Sequence, residues 1–383
     1  MRTELSAETK QTYQVVALLA TVFVVAIHYQ SAAPISASLE AASTNQLVQE
    51  FLIGGVARFA VPMFAFAAGF FYFRSDDGSL GCYLRKIRQR CRSVLLPYLV
   101  FGGFATAIWL VSRLADGKSI GEMSTLNLLA TWLLRPPAEQ LWFLRDLMVL
   151  IIAAPVIRQI VRLPSSAGLW GVGLLWLSHY QPFPLVHGWY LLHTETLFFF
   201  CVGCEANQHS EALDRLGRLS TPTVLGFVIV WIDLIIARIM LRPDFDCWYT
   251  TDYSVESLLL HKASILCGCF SIWMVAWKLR HPALVRLSGA AFFVYLIHEF
   301  PLRAVLERII GTMLDKGVWF WVLAPGVTAG CFAAAMLMNR FTPRVIALVT
   351  GGRTPDSAIK LTGAEVRRPV YSVDPSSSAA TTR

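Results

Sequence analysis

Several ionisable side chains lie inside or at the ends of apolar segments of this chain. His28 ends the first apolar run and His298 ends the ninth. Arg58, Arg145 and Lys262 lie inside other runs. An ionisable group in hydrocarbon is energetically costly, so such residues usually face a polar cavity or the interior of a helix bundle. A histidine exchanges protons near neutral pH and an arginine stabilises developing negative charge, so this set predicts acid–base or group-transfer chemistry.

Ten apolar segments must position these groups. The chain of 383 residues is 55% hydrophobic and 15% charged, whereas a soluble domain carries about 25% charged residues. Most segments approach the roughly 20 residues that a spanning helix needs, although the fifth is short and the ninth needs tilt or a thinned bilayer. The segments are residues 13–31, 52–73, 94–112, 142–161, 167–178, 190–206, 222–241, 255–277, 287–302 and 318–339. We predict an all-α integral membrane protein, a bundle of about ten transmembrane helices, with Leu126 to Leu134 as an interfacial or re-entrant piece.

The distribution of lysine and arginine predicts the orientation of this bundle. With the amino terminus in the cytosol, 22 of the 33 basic residues fall in inside segments and 7 in outside segments. Such an excess marks cytosolic loops, so we predict that both termini are cytosolic. The net charge of +8 follows from this bias and requires no nucleic-acid partner. Residues 1–12 are then a cytosolic terminus, 13–339 the membrane domain, and 340–383 a polar, disordered cytosolic tail.

In this orientation the ionisable groups collect in the outer half of the membrane. His28, Arg58, Arg145, Glu195 and His298 all lie near outer helix ends. Chance would scatter such groups between both halves, so the clustering points to one site. The same level carries tryptophan and tyrosine residues, which are typical of an aromatic belt, although a surface that stacks on sugars uses the same residue types.

Each of these groups also has a structural interpretation. A histidine near a helix end often caps carbonyl groups. Arg145 and Asp146, and likewise Glu195 and Lys262, could simply pair with one another, as intramembrane charges usually do. Arg238 is predicted to reach the outer interface with its charged end. The spacing of the nearby histidines matches no metal site, so no metal is predicted.

Five motifs occur in an order that resembles one family. They are VVAIH at 24–28, VPMFAFAAGFF at 61–71, YLRKIR at 83–88 leading to LPY at 96–98, LWFL at 141–144, and FVYLIH at 293–298. Over residues 13–339 the chain resembles the membrane acyltransferase 3 family, whose members O-acylate extracytoplasmic sugars. Two positions depart from the family pattern: Ala17 replaces a frequent arginine, and Ala68 replaces the serine of a common Ser-Gly-Phe signature.

The resemblance implies a reaction and roles for individual residues. An acyl group, acetyl by family frequency, would move from acyl-coenzyme A in the cytosol to a sugar hydroxyl of an exported or cell-surface polysaccharide or its lipid-linked precursor. His28 would be a general base or a transient acyl carrier, and His298 and Glu299 would orient it or relay the proton. Arg58 or Arg145 would face the oxyanion. The predicted substrate contacts are Trp142, Phe143, Asp146, Glu195 and Tyr295, and the predicted donor-binding residues are Arg85, Lys86 and Arg88. The coenzyme is a substrate, no cofactor stays bound, and the expected location is a bacterial inner membrane.

Two other functions remain open from the sequence. In a transporter or polysaccharide exporter, the same polar residues would line a path across the membrane, and the halves of the chain often repeat. The sequence shows no such repeat, and its polar set lies toward one face. A purely structural membrane protein leaves the costly intramembrane charges unexplained.

Overall fold

A computed structural model describes residues 5–33, 35, 39–118, 124–242, 253–310 and 313–354. These residues are almost entirely helical. One antiparallel pair of two-residue strands, β1 (Leu185–Val186) and β2 (Trp189–Tyr190), is present in the described ranges. The predicted disordered tail lies outside them from residue 355 onward, as do the first four residues.

The helices follow one another along the described chain in this order: α1 (Ala7–His28), α2 (Thr44–Gln49), α3 (Ala60–Arg74), α4 (Leu80–Arg90), α5 (Leu96–Ala115), α6 (Thr125–Leu134), α7 (Trp142–Ile152), α8 (Ala154–Val161), α9 (Ala167–Leu177), α10 (Thr194–Ala206), α11 (Ser210–Gly217), α12 (Thr221–Leu241), α13 (Val255–Lys278), α14 (Pro282–Ser288), α15 (Ala291–Ile297), α16 (Leu302–Ile310), α17 (Lys316–Phe341) and α18 (Pro343–Val349). A π-helical segment, Glu50–Gly55, and a 3-10 turn, Val56–Phe59, join α2 to α3. A second π-helical segment, Cys91–Leu95, joins α4 to α5.

Six helical stretches within the described ranges are long and apolar enough to cross a membrane: Ala7–His28, Thr44–Arg74, Leu80–Ala115, Thr221–Leu241, Val255–Lys278 and Lys316–Phe341. A seventh crossing is possible if α7 and α8, which are bent by 70° at Ala153, form one span. The protein is therefore a helical, multi-pass membrane protein.

Each of the ten predicted apolar segments contains a helix, but not all of these helices are long. The fifth, sixth and ninth segments hold α9, α10 and α15, with 11, 13 and 7 residues, against the roughly 20 that a straight crossing needs. Ten crossings and cytosolic termini therefore remain predictions. The stretch from Leu126 to Leu134 is the ten-residue helix α6, and its interfacial or re-entrant position is likewise still a prediction.

The helical part of the chain extends further toward the carboxyl terminus than the sequence indicates. The tail was predicted to begin at residue 340, yet α17 runs to Phe341 and α18 follows it directly. The side chains of Ile346 and Thr350 are fully buried. Burial of these residues against the bundle explains why the segment is ordered despite its polar flanks.

Helices α3 and α10 approach each other at two glycines. A Cβ atom added to Gly69 would overlap the carbonyl oxygen of Phe200, and one added to Gly203 would overlap that of Phe66. Small residues let helix backbones come this close in a membrane. This contact fixes the start of α10, which carries Glu195, against the start of α3, which follows Arg58.

We expect Gly203→Ala to destabilise the folded protein by about 1–3 kcal/mol, because the added methyl group must push backbone atoms apart. Gly226→Ala on α12 is the matched control, since a Cβ there meets nothing within 4 Å. Thermal unfolding of the two purified variants measures the difference. Equal midpoints would show that the α3–α10 contact is not tight.

Candidate functional site

The two histidines that end apolar segments lie side by side. His28 is the last residue of α1, and His298 follows α15 directly. Their ring centroids are 5.0 Å apart, and the ring planes meet at 63°. We call these two residues the histidine pair. The structure thus brings together two groups that are 270 residues apart in the sequence.

Hydrogen bonds define which nitrogen of His298 carries the proton. His298 is fully buried, and its Nδ1 lies 3.1 Å from the carbonyl oxygen of Val294 and 3.0 Å from that of Tyr295. Because carbonyl oxygens only accept, Nδ1 is the protonated nitrogen of the neutral ring. Nε2 then has a free lone pair, and it has no hydrogen-bond partner within the described part of the chain. A buried base without a partner, beside a second histidine, marks a reactive position.

Neighbouring polar groups hold the segment that carries His298 in place. The Tyr29 hydroxyl donates to the carbonyl of His298 at 2.7 Å. The Gln140 side-chain amide donates to the carbonyl of Leu296 at 3.2 Å, and the Tyr295 hydroxyl donates to the carbonyl of Gln140. Tyr295, which the sequence predicts to contact substrate, therefore connects α15 to the turn before α7 in this structure.

A partly enclosed pocket of about 190 Å³ lies near the end of α1, and its lining among the described residues does not include the histidine pair itself. Its lining includes Ile27, the neighbour of His28, and three of the predicted site residues, Arg58, Trp142 and Glu195. We call it the charged pocket; its lining residues are Ile27, Ala57, Arg58, Val61, Trp142, Trp176, His179, Gln181, Tyr190, His193, Thr194, Glu195, Thr196, His261, Lys262 and Ile265.

Glu195, Lys262 and Trp176 form a cluster inside this pocket. The Glu195 Oε2 atom accepts a hydrogen bond from the Trp176 indole N–H at 3.1 Å and lies 4.0 Å from Lys262 Nζ. Lys262 Nζ also lies 4.6 Å from the centre of the Trp176 ring. The predicted pairing of Glu195 with Lys262 is confirmed. Beyond the end of α9, burial lowers the pKa of His179, and the charge of Lys262 lowers it further, so this pocket histidine is neutral at neutral pH.

Asp146 and His193 form an acid–histidine contact at the charged pocket. Asp146 is fully buried on α7. Its Oδ2 accepts from the backbone N–H of His193 at 2.9 Å and lies 2.9 Å from the ring nitrogen Nδ1 of the same residue. The sequence predicts a substrate contact at Asp146, but it did not single out His193 as its partner. The only available signal was the position of His193, two residues before Glu195 at the start of α10.

The contacts of Arg145 differ from those of its neighbour Asp146. Its guanidinium group donates to the carbonyl oxygens of Leu134, at 3.2 Å, and of Tyr190. It also lies 5.1 Å from the centre of the Trp189 ring and 3.8 Å from Asp146 Oδ1. These contacts confirm the predicted pairing with Asp146. Arg145 therefore links α7 to α6 and β2.

Two further predicted residues lie near the site without lining the charged pocket. Phe143 is buried, with its ring 6.1 Å from that of Phe64. Glu299 follows His298 in the chain and is 8% exposed. Its carboxylate accepts from the backbone N–H of Phe300 at 2.5 Å. A proton-relay role for Glu299 therefore remains a prediction.

A second opening, of about 680 Å³, is lined by arginines. We call it the arginine groove; its lining residues are Arg85, Arg88, Gln89, Arg92, Ser93 and Gly351. Gly351 has a φ of +64°, and a Cβ atom there would overlap the Cα atom of Ser93, so the close approach of the chain after α18 to the π-helical segment Cys91–Leu95 requires glycine. Burial and then the nearby charge of Arg90 lower the pKa of Arg353 to about 10. This crowding of cations favours an anionic ligand.

Lys86 does not share this groove with Arg85 and Arg88. It is 6% exposed, its Nζ lies 3.4 Å from Asp76 Oδ1, and the same atom is 4.5 Å from the centre of the Tyr72 ring. Successive residues of a helix point in different directions, so Lys86 faces the bundle while its neighbours face the groove. The structure thus separates the three predicted donor-binding residues.

The charged pocket and the arginine groove lie at opposite ends of α3. Arg58 and Val61 line the pocket at the beginning of this helix. Lys86, between the two groove arginines, bonds to the carbonyl of Tyr72 near its end. A helix of 15 residues is about 22 Å long. A ligand that occupies both openings must therefore be extended.

The prediction for Arg238 is wrong. It is 2% exposed, and its guanidinium Nη1 lies 2.7 Å from Glu50 Oε1. The apolar run suggested that the second span begins at residue 52, which leaves Glu50 outside. In the structure one helical stretch extends from Thr44 to Arg74. It carries Glu50 into the bundle, where Arg238 meets it instead of reaching the interface.

Comparison with known sequences identifies the family. Residues 18–340 match the acyltransferase domain. The chain belongs to the acyltransferase 3 family. It is therefore a membrane acyltransferase, as the order of its five motifs predicts. It is similar to the succinoglycan biosynthesis protein ExoH of Rhizobium meliloti (strain 1021), with 28% identity over 318 residues that cover 79% of this chain and 82% of that protein. No solved structure matches the chain. Membership of an enzyme family favours catalysis over transport for the intramembrane charges.

Proposed function

We propose that this acyltransferase moves an acyl group, acetyl by family frequency, from acyl-coenzyme A to a sugar hydroxyl of an exported polysaccharide or its lipid-linked precursor. The observation that carries the proposal is the histidine pair, in which a buried Nε2 atom without a partner lies beside the ring of His28. The name of the relative from Rhizobium meliloti, which refers to succinoglycan biosynthesis, supports a polysaccharide acceptor. We place the protein in a bacterial inner membrane.

His28 is the group that reacts in this proposal. It acts either as the general base or as a nucleophile that carries the acyl group briefly. In both cases the reaction transfers a proton at His28, and the free Nε2 of His298 is suited to accept or return it. Arg58, in the lining of the charged pocket, supplies positive charge for the oxyanion that forms at the carbonyl oxygen of the acyl group.

The charged pocket has the composition of a sugar site. Trp142, Trp176 and Tyr190 offer aromatic faces, and Glu195 and Gln181 offer hydrogen-bonding groups. A pyranose ring has apolar faces and polar edges, so it fits a pocket that combines aromatic rings with a few fixed polar groups. The acceptor hydroxyl would enter here.

The arginine groove has the charge needed for the donor. Coenzyme A carries phosphate groups, and guanidinium groups bind phosphate through paired N–H donors. The pantetheine arm would then extend along α3 toward His28. Ala17 offers no charge on α1, so α4 supplies the cations in this arrangement. On the predicted topology the groove faces the cytosol, where acyl-coenzyme A is available.

We expect Arg85→Gln and Arg88→Gln each to raise KM for acetyl-coenzyme A about 10-fold, the effect of losing about 1.4 kcal/mol of binding, with little change in kcat. Steady-state kinetics of the purified variants measures this effect. Arg162→Gln, at an exposed arginine after α8, is the matched control. S-acetylpantetheine lacks the nucleotide phosphates, so all four proteins should use it equally. Unchanged KM values in both groove variants would place the donor elsewhere.

Deletion of the gene in its host and complementation test the proposed function directly. We expect the deletion strain to export its polysaccharide without the O-acyl ester, and the wild-type gene to restore the ester. Ester content and polysaccharide yield are measured separately. An exporter predicts the opposite pattern, in which the polysaccharide is no longer released and whatever is released keeps its ester.

A further inference from the structure

The contact between Asp146 and His193 includes one hydrogen bond more than a structural role requires. A buried carboxylate at the beginning of a helix can simply hold the chain, and the bond from the backbone N–H of His193 does that. The same oxygen also bonds the ring nitrogen Nδ1 at 2.9 Å. This second bond fixes the orientation and tautomer of the imidazole, which anchoring of the backbone would not need.

The two ring nitrogens of His193 have different environments. Nδ1 faces a carboxylate whose exposure is 0%, while 28% of the histidine side chain is exposed, and the residue lines the charged pocket. A carboxylate only accepts, so Nδ1 carries the proton and Nε2, on the opposite edge of the ring, holds the free lone pair. The Trp142 ring lies 4.4 Å from the imidazole, centre to centre, and limits its rotation.

The segment before α7 connects this histidine to the histidine pair. Gln140 bonds to the carbonyl of Leu296 and accepts from Tyr295, next to His298. Two residues later, Trp142 packs on His193, and Asp146 follows one helical turn further. One short stretch of chain therefore contacts both the segment that carries His298 and the ring of His193.

We infer that His193 is the general base that deprotonates the acceptor hydroxyl, and that Asp146 positions it. This inference rests on the proposed function in the form in which His28 carries the acyl group, and it adds a second catalytic histidine to it, because two bases cannot take the same hydroxyl proton. The sugar oxygen forms a bond to the acyl carbon while its proton moves to Nε2 of His193. The bond from that carbon to the leaving atom, a nitrogen of His28, breaks and its electron pair stays on that nitrogen. The proton then passes from His193 to the leaving group or to water.

The test uses the purified full-length protein in lipid nanodiscs. The substrates are radiolabelled acetyl-coenzyme A and oligosaccharide released from the host's own exopolysaccharide after alkaline removal of esters. We expect His193→Ala to lower kcat about 100-fold or more without changing KM for acetyl-coenzyme A. Asp146→Asn should lower kcat by a smaller factor. Added imidazole should restore part of the activity of His193→Ala, because it replaces a base but cannot replace a structural contact.

His209→Ala is the matched control, since His209 also faces a carboxylate, that of Glu205 at 3.7 Å, but with 70% of its side chain exposed. It should behave like the wild type. If His193→Ala stays active while His28→Ala is inactive, the inference fails and the proposed function stands. If His193→Ala loses activity and imidazole restores none, His193 is not the base. If the wild type itself labels no oligosaccharide, the proposed function fails, and this inference fails with it.

Discussion

His28→Ala is expected to lower acyl transfer about 1,000-fold or more, since it removes the group that exchanges a proton or carries the acyl chain. The substitution shortens a side chain at the end of α1 and leaves the buried face of that helix intact. Folding should therefore be preserved, and the loss should appear in kcat. Ester formation by purified protein, with size-exclusion profiles as a check on folding, measures it.

The exposed His209 provides the control for this experiment as well. His209→Ala should retain wild-type activity, because its ring lies at the surface and pairs with Glu205, four residues earlier in the chain. Normal ester formation by a folded His28→Ala protein would contradict the role of the histidine pair. Transfer would then have to proceed without an acyl group on His28, with the histidines that line the charged pocket as the remaining candidates for catalysis.

The second large effect is expected on stability. Arg238→Met leaves the Glu50 carboxylate, 18% exposed and folded over Gly54, without its cationic partner. Removing one member of such a buried pair costs about 3–5 kcal/mol, because the remaining charge is poorly solvated. We expect a lower unfolding temperature and a smaller yield of folded protein. The double variant Glu50→Leu with Arg238→Met should recover most of the loss, since no charge then remains in the bundle.

A surface pair offers the matched comparison. Arg303 and Glu307 lie 2.8 Å apart with 39% and 41% of their side chains exposed. Arg303→Met should therefore change stability by less than about 1 kcal/mol. Equal destabilisation by Arg238→Met and Arg303→Met would show that the buried pair is solvated and that its position in the bundle has no special energetic consequence.

The sequence predicted those features that depend on local pattern. Apolar runs located a helix in each of the ten segments, and the first run placed His28 near the end of its helix. The order of the motifs identified the family. These signals are local because each helix needs only its own apolar stretch and each motif only its own few residues.

Other features depend on how helices pack, and sequence spacing does not encode them. The contact of His193 with Asp146 joins residues 47 positions apart, and that of Arg238 with Glu50 joins residues on two different helices. Likewise, helix geometry placed Lys86 on the opposite side from Arg85 and Arg88, although the three were predicted to act together. Tertiary packing decides which of several neighbouring polar residues faces a site.

The most direct measurement separates donor and acceptor by a membrane. Vesicles that contain the purified protein are loaded with de-esterified oligosaccharide, and radiolabelled acetyl-coenzyme A is added outside. The arginine groove and the charged pocket lie at opposite ends of α3, so we predict that wild-type protein labels the enclosed oligosaccharide and that His28→Ala does not. Label that stays entirely on the coenzyme with folded wild-type protein would contradict acyl transfer through the histidine pair.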